Sequence, residues 1–370
     1  MDHIKILKRA WNITWSYRAL WVFGIMLALV TASGSPGPGG NGGDGQVQYE
    51  LNGDEFLGPR GEFPWPGGEF RLPDIGPEIV GILSAVGIAL ACVVVLLIIV
   101  SVVARYVAET SLIRMVGDYE ETGEKHSVRQ GFRLGWSRTA WRLFLINLVV
   151  VLPAVVVFIL LFFLAGAPLL AWITKSTALR VGGTVAAVGL FVVIVLLAIV
   201  VGTLLSLLLR LFRRACVLEG LGVGESIQRG FGLMRRHLLD VGLMWLLMVG
   251  VRIALAIGTI IAVILLIPAI IVLIVLGGVL GGLPALLVGG LASLFVEGAV
   301  PWILGALIGI PIFAFVVGLP WLFLNGLVEV FKSSVWTLTY RELLALEGLE
   351  QAEAETGPDA PVESEPSSLA

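Results

Sequence analysis

Apolar runs about as long as a membrane is thick recur along this chain of 370 residues. A helix needs roughly 20 apolar residues to cross about 30 Å of hydrocarbon. Six runs meet this requirement, near 15–33, 79–104, 143–166, 184–209, 240–275 and 302–330. Only 14% of the residues are charged, against roughly 25% in an ordinary soluble domain. The chain is therefore predicted to be an all-α integral membrane protein with six transmembrane helices, not a soluble or disordered protein.

The last two spans are the hardest to delimit, because the chain is almost continuously apolar from residue 238 to residue 331. We place the break between them in the glycine-rich segment 277–284, which ends on a proline. Residues 285–301 then form an apolar surface loop, a re-entrant segment or a further short helix, and all three remain open.

The distribution of Lys and Arg predicts the orientation of the spans. Nineteen of these 24 residues lie in the segments 1–18, 105–142, 210–237 and 332–370. Only four lie in the alternate segments, 34–78 and 167–183. The positive-inside rule then places both termini in the cytoplasm. A cleaved signal peptide is the alternative for the start of the chain, with residues 31–33 as the cleavage site.

Two polar segments flank or interrupt the predicted membrane domain, which covers residues 1–346. Residues 34–78 contain 13 Gly and 7 Pro, so they are predicted to form an irregular extracytoplasmic loop, with a ligand-binding cap as the alternative. Residues 347–370 carry seven acidic residues and no basic one. They are predicted to be a disordered cytoplasmic tail.

Three short segments align without gaps just before the outward-going spans, at residues 7–13, 128–134 and 227–233. Each has an aliphatic residue, two polar or basic residues, a small residue and an aromatic residue in that order. Apolar residues four positions apart, such as Leu7, Trp11 and Trp15, predict an amphipathic helix in the cytoplasmic interface. The chain then consists of three parallel-repeat hairpins, each preceded by such a helix, around an axis along the membrane normal.

The predicted interfacial helices present aromatic and basic residues to lipid. Trp and Phe suit the headgroup depth, and each basic residue near anionic lipid contributes about 1 kcal/mol. The candidate lipid contacts are Lys8, Arg9, Trp11, Arg129, Phe132, Arg133, Arg229 and Phe231. Ordinary positive-inside anchors without lipid specificity are the alternative interpretation.

No motif of a known catalytic or metal site occurs in the sequence. It contains no nucleophile elbow, no H-E-x-x-H, no phosphate-binding glycine loop and no C-x-x-C. The three histidines, His3, His126 and His237, are not grouped at the spacing of metal ligands. We therefore expect no catalytic residue, cofactor or metal ion, and no enzymatic activity.

One charge lies well inside an apolar run. Arg252 is placed where a charge costs roughly 2.5–3.5 kcal/mol on insertion scales, so it needs a partner or a wet cavity. The candidate partners are Asn325, Glu329 and Glu297. The group is either a substrate or ion site, or a structural feature, which would be a snorkelling arginine or a buried pair that locks two helices together.

Prolines and glycines add predictions about the helices themselves. A proline within a helix removes a hydrogen-bond donor, and four of them are predicted to interrupt helices: Pro153, Pro268, Pro311 and Pro320. Gly305 and Gly309 stand in the G-x-x-x-G spacing of closely packed membrane helices.

Segments 6–11, 127–132, 226–231 and 335–343 together resemble a broad group of bacterial six-span proteins. These are similar to the membrane domain associated with glycerophosphodiester phosphodiesterases. In that family the hydrolytic activity belongs to a separate soluble barrel, which this chain does not resemble. The resemblance implies a bacterial inner-membrane protein with a link to lipid metabolism.

The sequence therefore predicts a non-enzymatic, lipid-associated or assembly component of the bacterial inner membrane. A transporter or exporter of a small amphiphile, acting around Arg252, is the alternative. The expected partners are anionic lipid headgroups and either another membrane protein or a second copy of the chain, and no nucleic acid is expected.

Overall fold

The structure is a computed structural model that describes residues 2–32, 77–174, 176–294 and 300–355. These ranges form helices and no β-strand, so the all-α class is confirmed. The α-helices are α1 (His3–Ser16), α2 (Ala19–Ala32), α3 (Pro77–Thr122), α4 (Val128–Gly135), α5 (Arg138–Gly166), α6 (Thr177–Leu218), α7 (Val223–Arg236), α8 (Leu238–Leu265), α9 (Ile267–Ala292) and α10 (Val300–Glu355). A 3-10 helix, Ala167–Ile173, follows α5. The predicted loop lies outside the described residues except for its last two positions, as do residues 356–370.

Six helices are long and apolar enough to cross a membrane: α3, α5, α6, α8, α9 and α10. Most large apolar side chains along them are exposed, which suits surroundings of lipid and not of water. The chain is therefore a multi-pass membrane protein. By length and composition alone, α1 and α2 together would make a seventh candidate span, but their axes differ by 99°.

The six long helices are not the six predicted spans. The first predicted span, 15–33, corresponds mainly to α2, whose 14 residues extend only about 21 Å. The fifth, 240–275, is divided between two helices, because α8 ends at Leu265 and α9 begins at Ile267. Pro268 lies in the first turn of α9, where its missing N–H removes no hydrogen bond of the helix.

The predicted break at 277–284 is wrong, because these residues lie inside α9. Residues 285–292 complete the same helix, and 295–299 lie outside the described residues. The prediction that each proline interrupts a helix is also wrong for three of the four, since Pro153, Pro311 and Pro320 lie within continuous helices.

Glycines in this region bring α9 and α10 together instead of ending a helix. A Cβ atom on Gly281 would lie 2.6 Å from the carbonyl oxygen of Gly309, and one on Gly305 would lie 2.5 Å from that of Ala285. Gly277 lies against Phe313, so position numbers rise along α9 as they fall along α10 and the helices are antiparallel. The close packing predicted from Gly305 and Gly309 is confirmed.

The chain divides into two compact units, one of Met1–Gly39 with Arg105–Ala370 and one of Gly40–Ala104. In the smaller unit the described residues belong to α3, and the large apolar side chains from Val93 to Val100 are exposed. Two buried apolar clusters lie among the described residues of the larger unit. One joins α1, α2, α3, α8 and α10 through residues including Ile13, Phe23, Leu112, Met244 and Val335. The other joins α6, α7, α8 and α10 through residues including Leu211, Leu233, Val241, Trp336 and Tyr340.

Local signals position the short helices within the larger unit. Asp2 caps α1 by accepting from the Lys5 amide at 3.0 Å, and Ser127 with Gln130 forms a capping box at the start of α4. Gly123 and Gly220 have φ of 74° and 70°, a left-handed conformation that only glycine adopts without strain. They reverse the chain between α3 and α4 and between α6 and α7.

Helix α10 extends beyond the predicted sixth span, 302–330, and into the predicted tail. The helix continues to Glu355, so the prediction that disorder begins at residue 347 is wrong. Glu347 itself is only 4% exposed, because the protein supplies it with partners from another helix.

Candidate functional site

The three aligned segments lie in α1, α4 and α7, and each buries its small residue. These small residues are Ala10, Gly131 and Gly230. A Cβ on Gly131 would lie 2.4 Å from the Met115 sulfur of α3, and one on Gly230 would lie 2.5 Å from the Phe212 ring of α6. The small side chain is therefore what lets each short helix approach the body of the protein.

The next residue in each segment is aromatic and remains exposed. The exposed fractions are 55% for Trp11, 40% for Phe132 and 55% for Phe231. Trp15 and Trp136, four positions further on, are 49% and 68% exposed. The short helices therefore present a discontinuous aromatic surface, which we call the aromatic surface and define by these five residues.

The basic residues near this surface fall into two groups. Lys8, Arg129 and Arg133 are exposed, and the described residues provide no ion pair for them. Arg9 instead pairs with Glu120 at 3.0 Å, and Arg229 pairs with Glu347 at 2.8 Å. Five of the predicted lipid contacts are basic. Among the described residues, three of the five are free to bind an external anion, and the other two are paired with a carboxylate of the protein.

A cavity of about 380 Å³ lies beside α7, and Glu347 forms part of its wall. The Glu347 carboxylate accepts from Arg229 at 2.8 Å and Arg236 at 2.7 Å, while Arg229 also contacts Glu219 at 3.3 Å. Burial by itself would lower the pKa of Arg229. The hydrogen bond to Glu347 and the negative charges of Glu347 and Glu219 outweigh this effect, so the pKa of Arg229 is raised. The cavity wall is thus an internally neutralised group of charges.

The intramembrane candidates are only partly brought together. The Arg252 Nε is buried and has no hydrogen-bond partner among the described residues. Glu329 lies within electrostatic range of Arg252, yet its carboxylate accepts from Lys332 at 2.9 Å. Asn325 is exposed, and Glu297 lies outside the described residues.

A second group of arginines, which sequence analysis missed, lies where α3, α5 and α6 meet. One NH group of Arg213 donates to Glu109 at 2.7 Å and the other to Asn147 at 3.0 Å. Arg105 and Arg214 also lie within electrostatic range of the Glu109 carboxylate. We call Arg105, Arg213 and Arg214 the arginine cluster.

The arginine cluster is deeply buried. Arg105, Arg213 and Arg214 are 5%, 4% and 4% exposed. In the sequence they look like ordinary positive-inside anchors, because each follows directly on an apolar run. The spacing of Arg105 and Glu109, and of Arg210 and Arg214, at i and i+4 was the available signal that these charges share helix faces.

Comparison with curated proteins and with solved structures finds no match to this chain. Residues 6–349 match the sequence family described as Family of unknown function (DUF7544). The matched region begins within α1 and ends near the end of α10, so it includes at least part of every described helix. This match does not bear on the resemblance to the membrane domain of glycerophosphodiester phosphodiesterases, which stays a prediction. The chain therefore belongs to the Family of unknown function (DUF7544).

Proposed function

We propose that the protein is a non-enzymatic, lipid-associated component of the bacterial inner membrane. Its helices α1, α4 and α7 lie in the headgroup region of the cytoplasmic leaflet and gather anionic lipid there. The observation that carries this proposal is the pairing, in all three helices, of a buried small residue with an exposed aromatic residue at the next position.

The geometry of a helix explains why this pairing supports an interfacial position. Neighbouring residues point about 100° apart, since a turn contains 3.6 residues. When Ala10 faces the protein, Trp11 therefore faces outward, and Gly131 and Phe132 repeat the relation. Exposed Trp and Phe are unfavourable in water, whereas the headgroup region accommodates amphipathic and apolar rings.

The free basic groups supply the preference for anionic lipid. Lys8, Arg129 and Arg133 lie on α1 and α4 near the aromatic surface, without internal carboxylate partners in the described part of the chain. Each contributes about 1 kcal/mol of attraction to an anionic leaflet. Two such charges on one helix correspond to roughly a 30-fold preference at 1.4 kcal/mol per factor of ten.

The repeat of interfacial helix, outward helix and inward helix belongs to the same proposal. Two observations support it: the left-handed glycines Gly123 and Gly220 end equivalent helices, and the small residue is buried in each copy. The third copy carries the additional helix α9 between α8 and α10. Three similar surfaces would then surround one axis along the membrane normal.

The test compares lipids bound to the wild-type protein with those bound to an Arg129→Gln, Arg133→Gln double variant. Each purified protein is placed in nanodiscs containing phosphatidylglycerol and phosphatidylcholine, and the ratio of the two lipids is measured. We expect the double variant to lose most of the wild-type enrichment in phosphatidylglycerol. Arg180→Gln, at the far end of the α5 and α6 hairpin, is the control and keeps it. An unchanged ratio in the double variant contradicts the proposal.

Transport of a small amphiphile is the second candidate, and Arg252 favours it. Its buried Nε lacks a hydrogen-bond partner among the described residues, and a break follows α8 at Leu266. We expect a transporter to move an amphiphilic dye across vesicles and to lose this activity in Arg252→Gln. Wild-type vesicles that do not move a panel of such dyes contradict this candidate.

A further inference from the structure

The arginine cluster contains more positive charge than the described residues neutralise. Arg105, Arg213 and Arg214 are each at least nine-tenths buried, and Glu109 is the carboxylate that the described residues bring into their electrostatic range. Only Arg213 forms an ion pair with it. Three guanidinium groups therefore share one carboxylate.

The arginine cluster also has nitrogen atoms that lack hydrogen-bond partners. The Nε atoms of Arg105, Arg213 and Arg214 are buried without a hydrogen-bond partner in the described parts of the chain. Arg214 donates to the main-chain carbonyls of Arg210 and Ser333, which carry no net charge. Arg105 has no hydrogen bond or ion pair in the same ranges.

The protein's own dipoles are too weak to compensate for this excess. The carbonyls at the C-terminus of a helix stabilise a nearby cation only weakly, and mainly within the last turn. A buried and unpaired ion costs much more than this, even after the structure relaxes. The neighbouring Arg210 is only half-buried, and its guanidinium lies 4.9 Å from the centre of the Trp336 ring, so we do not include it in the arginine cluster.

The geometry points to a binding site for one phosphate-bearing anion at the arginine cluster. A phosphate group accepts several hydrogen bonds, and the planar guanidinium fork binds it in a bidentate manner. The site receives this anion from one of two sources, an anionic phospholipid headgroup or free phosphate. Arg105 follows the apolar run 79–104 and Arg213 follows the run 184–209, which is where the phosphates of a bilayer lie.

The inference deepens the proposed function, on which its lipid source rests, but it depends on different residues. The aromatic surface and its free basic groups are exposed on α1 and α4, whereas the arginine cluster is buried between α3, α5 and α6. Loss of general lipid enrichment and loss of one tightly held anion are therefore separate results.

Arg105→Gln is the decisive variant, because Arg105 forms no internal hydrogen bond that the change would remove. Without added anion, relieving an unpaired charge raises the melting temperature or leaves it unchanged. With phosphatidylglycerol or inorganic phosphate, the wild type is stabilised in a saturable manner and the variant binds about 10- to 100-fold more weakly, as expected for loss of one charged hydrogen bond. Arg180→Gln, at the far end of the α5 and α6 hairpin, is the control and binds as the wild type does.

Native mass spectrometry of the full-length protein identifies the source. A phospholipid that stays bound to the wild type and to Arg180→Gln, but not to Arg105→Gln, supports the site and assigns it to lipid. Saturable stabilisation by inorganic phosphate without a retained lipid supports the site and assigns it to free phosphate. A wild type that retains no phospholipid and is not stabilised by phosphate overturns the proposal, whatever the folding of the variants. Equal binding by Arg105→Gln overturns it as well.

Discussion

Glu347 shows how one buried carboxylate changes the meaning of an acidic segment. The acidic composition of residues 347–370 led to a prediction of disorder. The Glu347 side chain nevertheless bridges Arg229 and Arg236, at 2.8 and 2.7 Å. The bridge joins α10 to α7 and closes one wall of the cavity beside α7. Composition describes a segment as a whole, whereas a single well-placed charge can hold it in the fold.

We expect Glu347→Gln to destabilise the protein, because the two arginines lose their shared carboxylate. Hydrogen bonds to charged groups contribute about 1.5–3 kcal/mol, and Arg229 and Arg236 are partly exposed, which reduces the effect to about 1–3 kcal/mol. Thermal unfolding in detergent, followed by circular dichroism, measures the change. The control is Glu342→Gln on the same helix, an exposed position, where no shift is expected. Equal melting temperatures for the two variants would show that the bridge does not stabilise the fold.

Helix packing in this protein depends on small residues at the contact points. A Cβ on Gly24 of α2 would lie 2.3 Å from the Gly326 carbonyl oxygen of α10, and one on Gly326 would lie 2.8 Å from the Ile25 main-chain nitrogen. Lipid provides no hydrophobic force between apolar helices, so close contact of their backbones provides the attraction instead.

Gly326→Ala is predicted to weaken the contact between α2 and α10. The added methyl group meets main-chain atoms that cannot rotate away, and such overpacking costs about 1–3 kcal/mol. Gly318→Ala in the same helix meets nothing within 4 Å and should be neutral or stabilising by up to about 1 kcal/mol. The two melting temperatures, measured side by side, provide the test. A Gly326→Ala variant as stable as Gly318→Ala contradicts this account.

A similar prediction applies to the contact between α9 and α10, where a glycine is replaced by leucine instead of alanine. Gly281→Leu places its side chain against Gly309 and Phe313 and should separate the two helices, whereas Gly282→Leu points into open space. We expect Gly281→Leu to lower the melting temperature in detergent and Gly282→Leu to leave it nearly unchanged. Equal melting temperatures for the two variants would contradict the glycine contact.

The distribution of Lys and Arg predicts the orientation of the whole molecule, and accessibility to a membrane-impermeant thiol reagent tests this prediction. In a background where Cys92 and Cys216 are alanine, we expect Thr174→Cys to react in intact bacterial cells. Glu124→Cys should react only after the cells are opened, because the positive-inside rule places the turn between α3 and α4 in the cytoplasm. Both positions are exposed outside the α-helices, so burial does not limit the reaction. The reverse pattern of labelling would show that the protein is inserted with the opposite orientation.

The amino-acid pattern alone determined that the chain is helical and membrane-embedded, because helix length and apolarity are local properties that need no tertiary contact. It also located the three short helices and the close packing at Gly305 and Gly309. Only the tertiary structure decided that 277–284 continues a helix, since Gly277 and Gly281 pack against α10. The same holds for the partners of charges: Arg229 and Glu347, or Arg213 and Glu109, are more than 100 positions apart. Such pairs depend on how whole helices pack, and no local pattern specifies that packing.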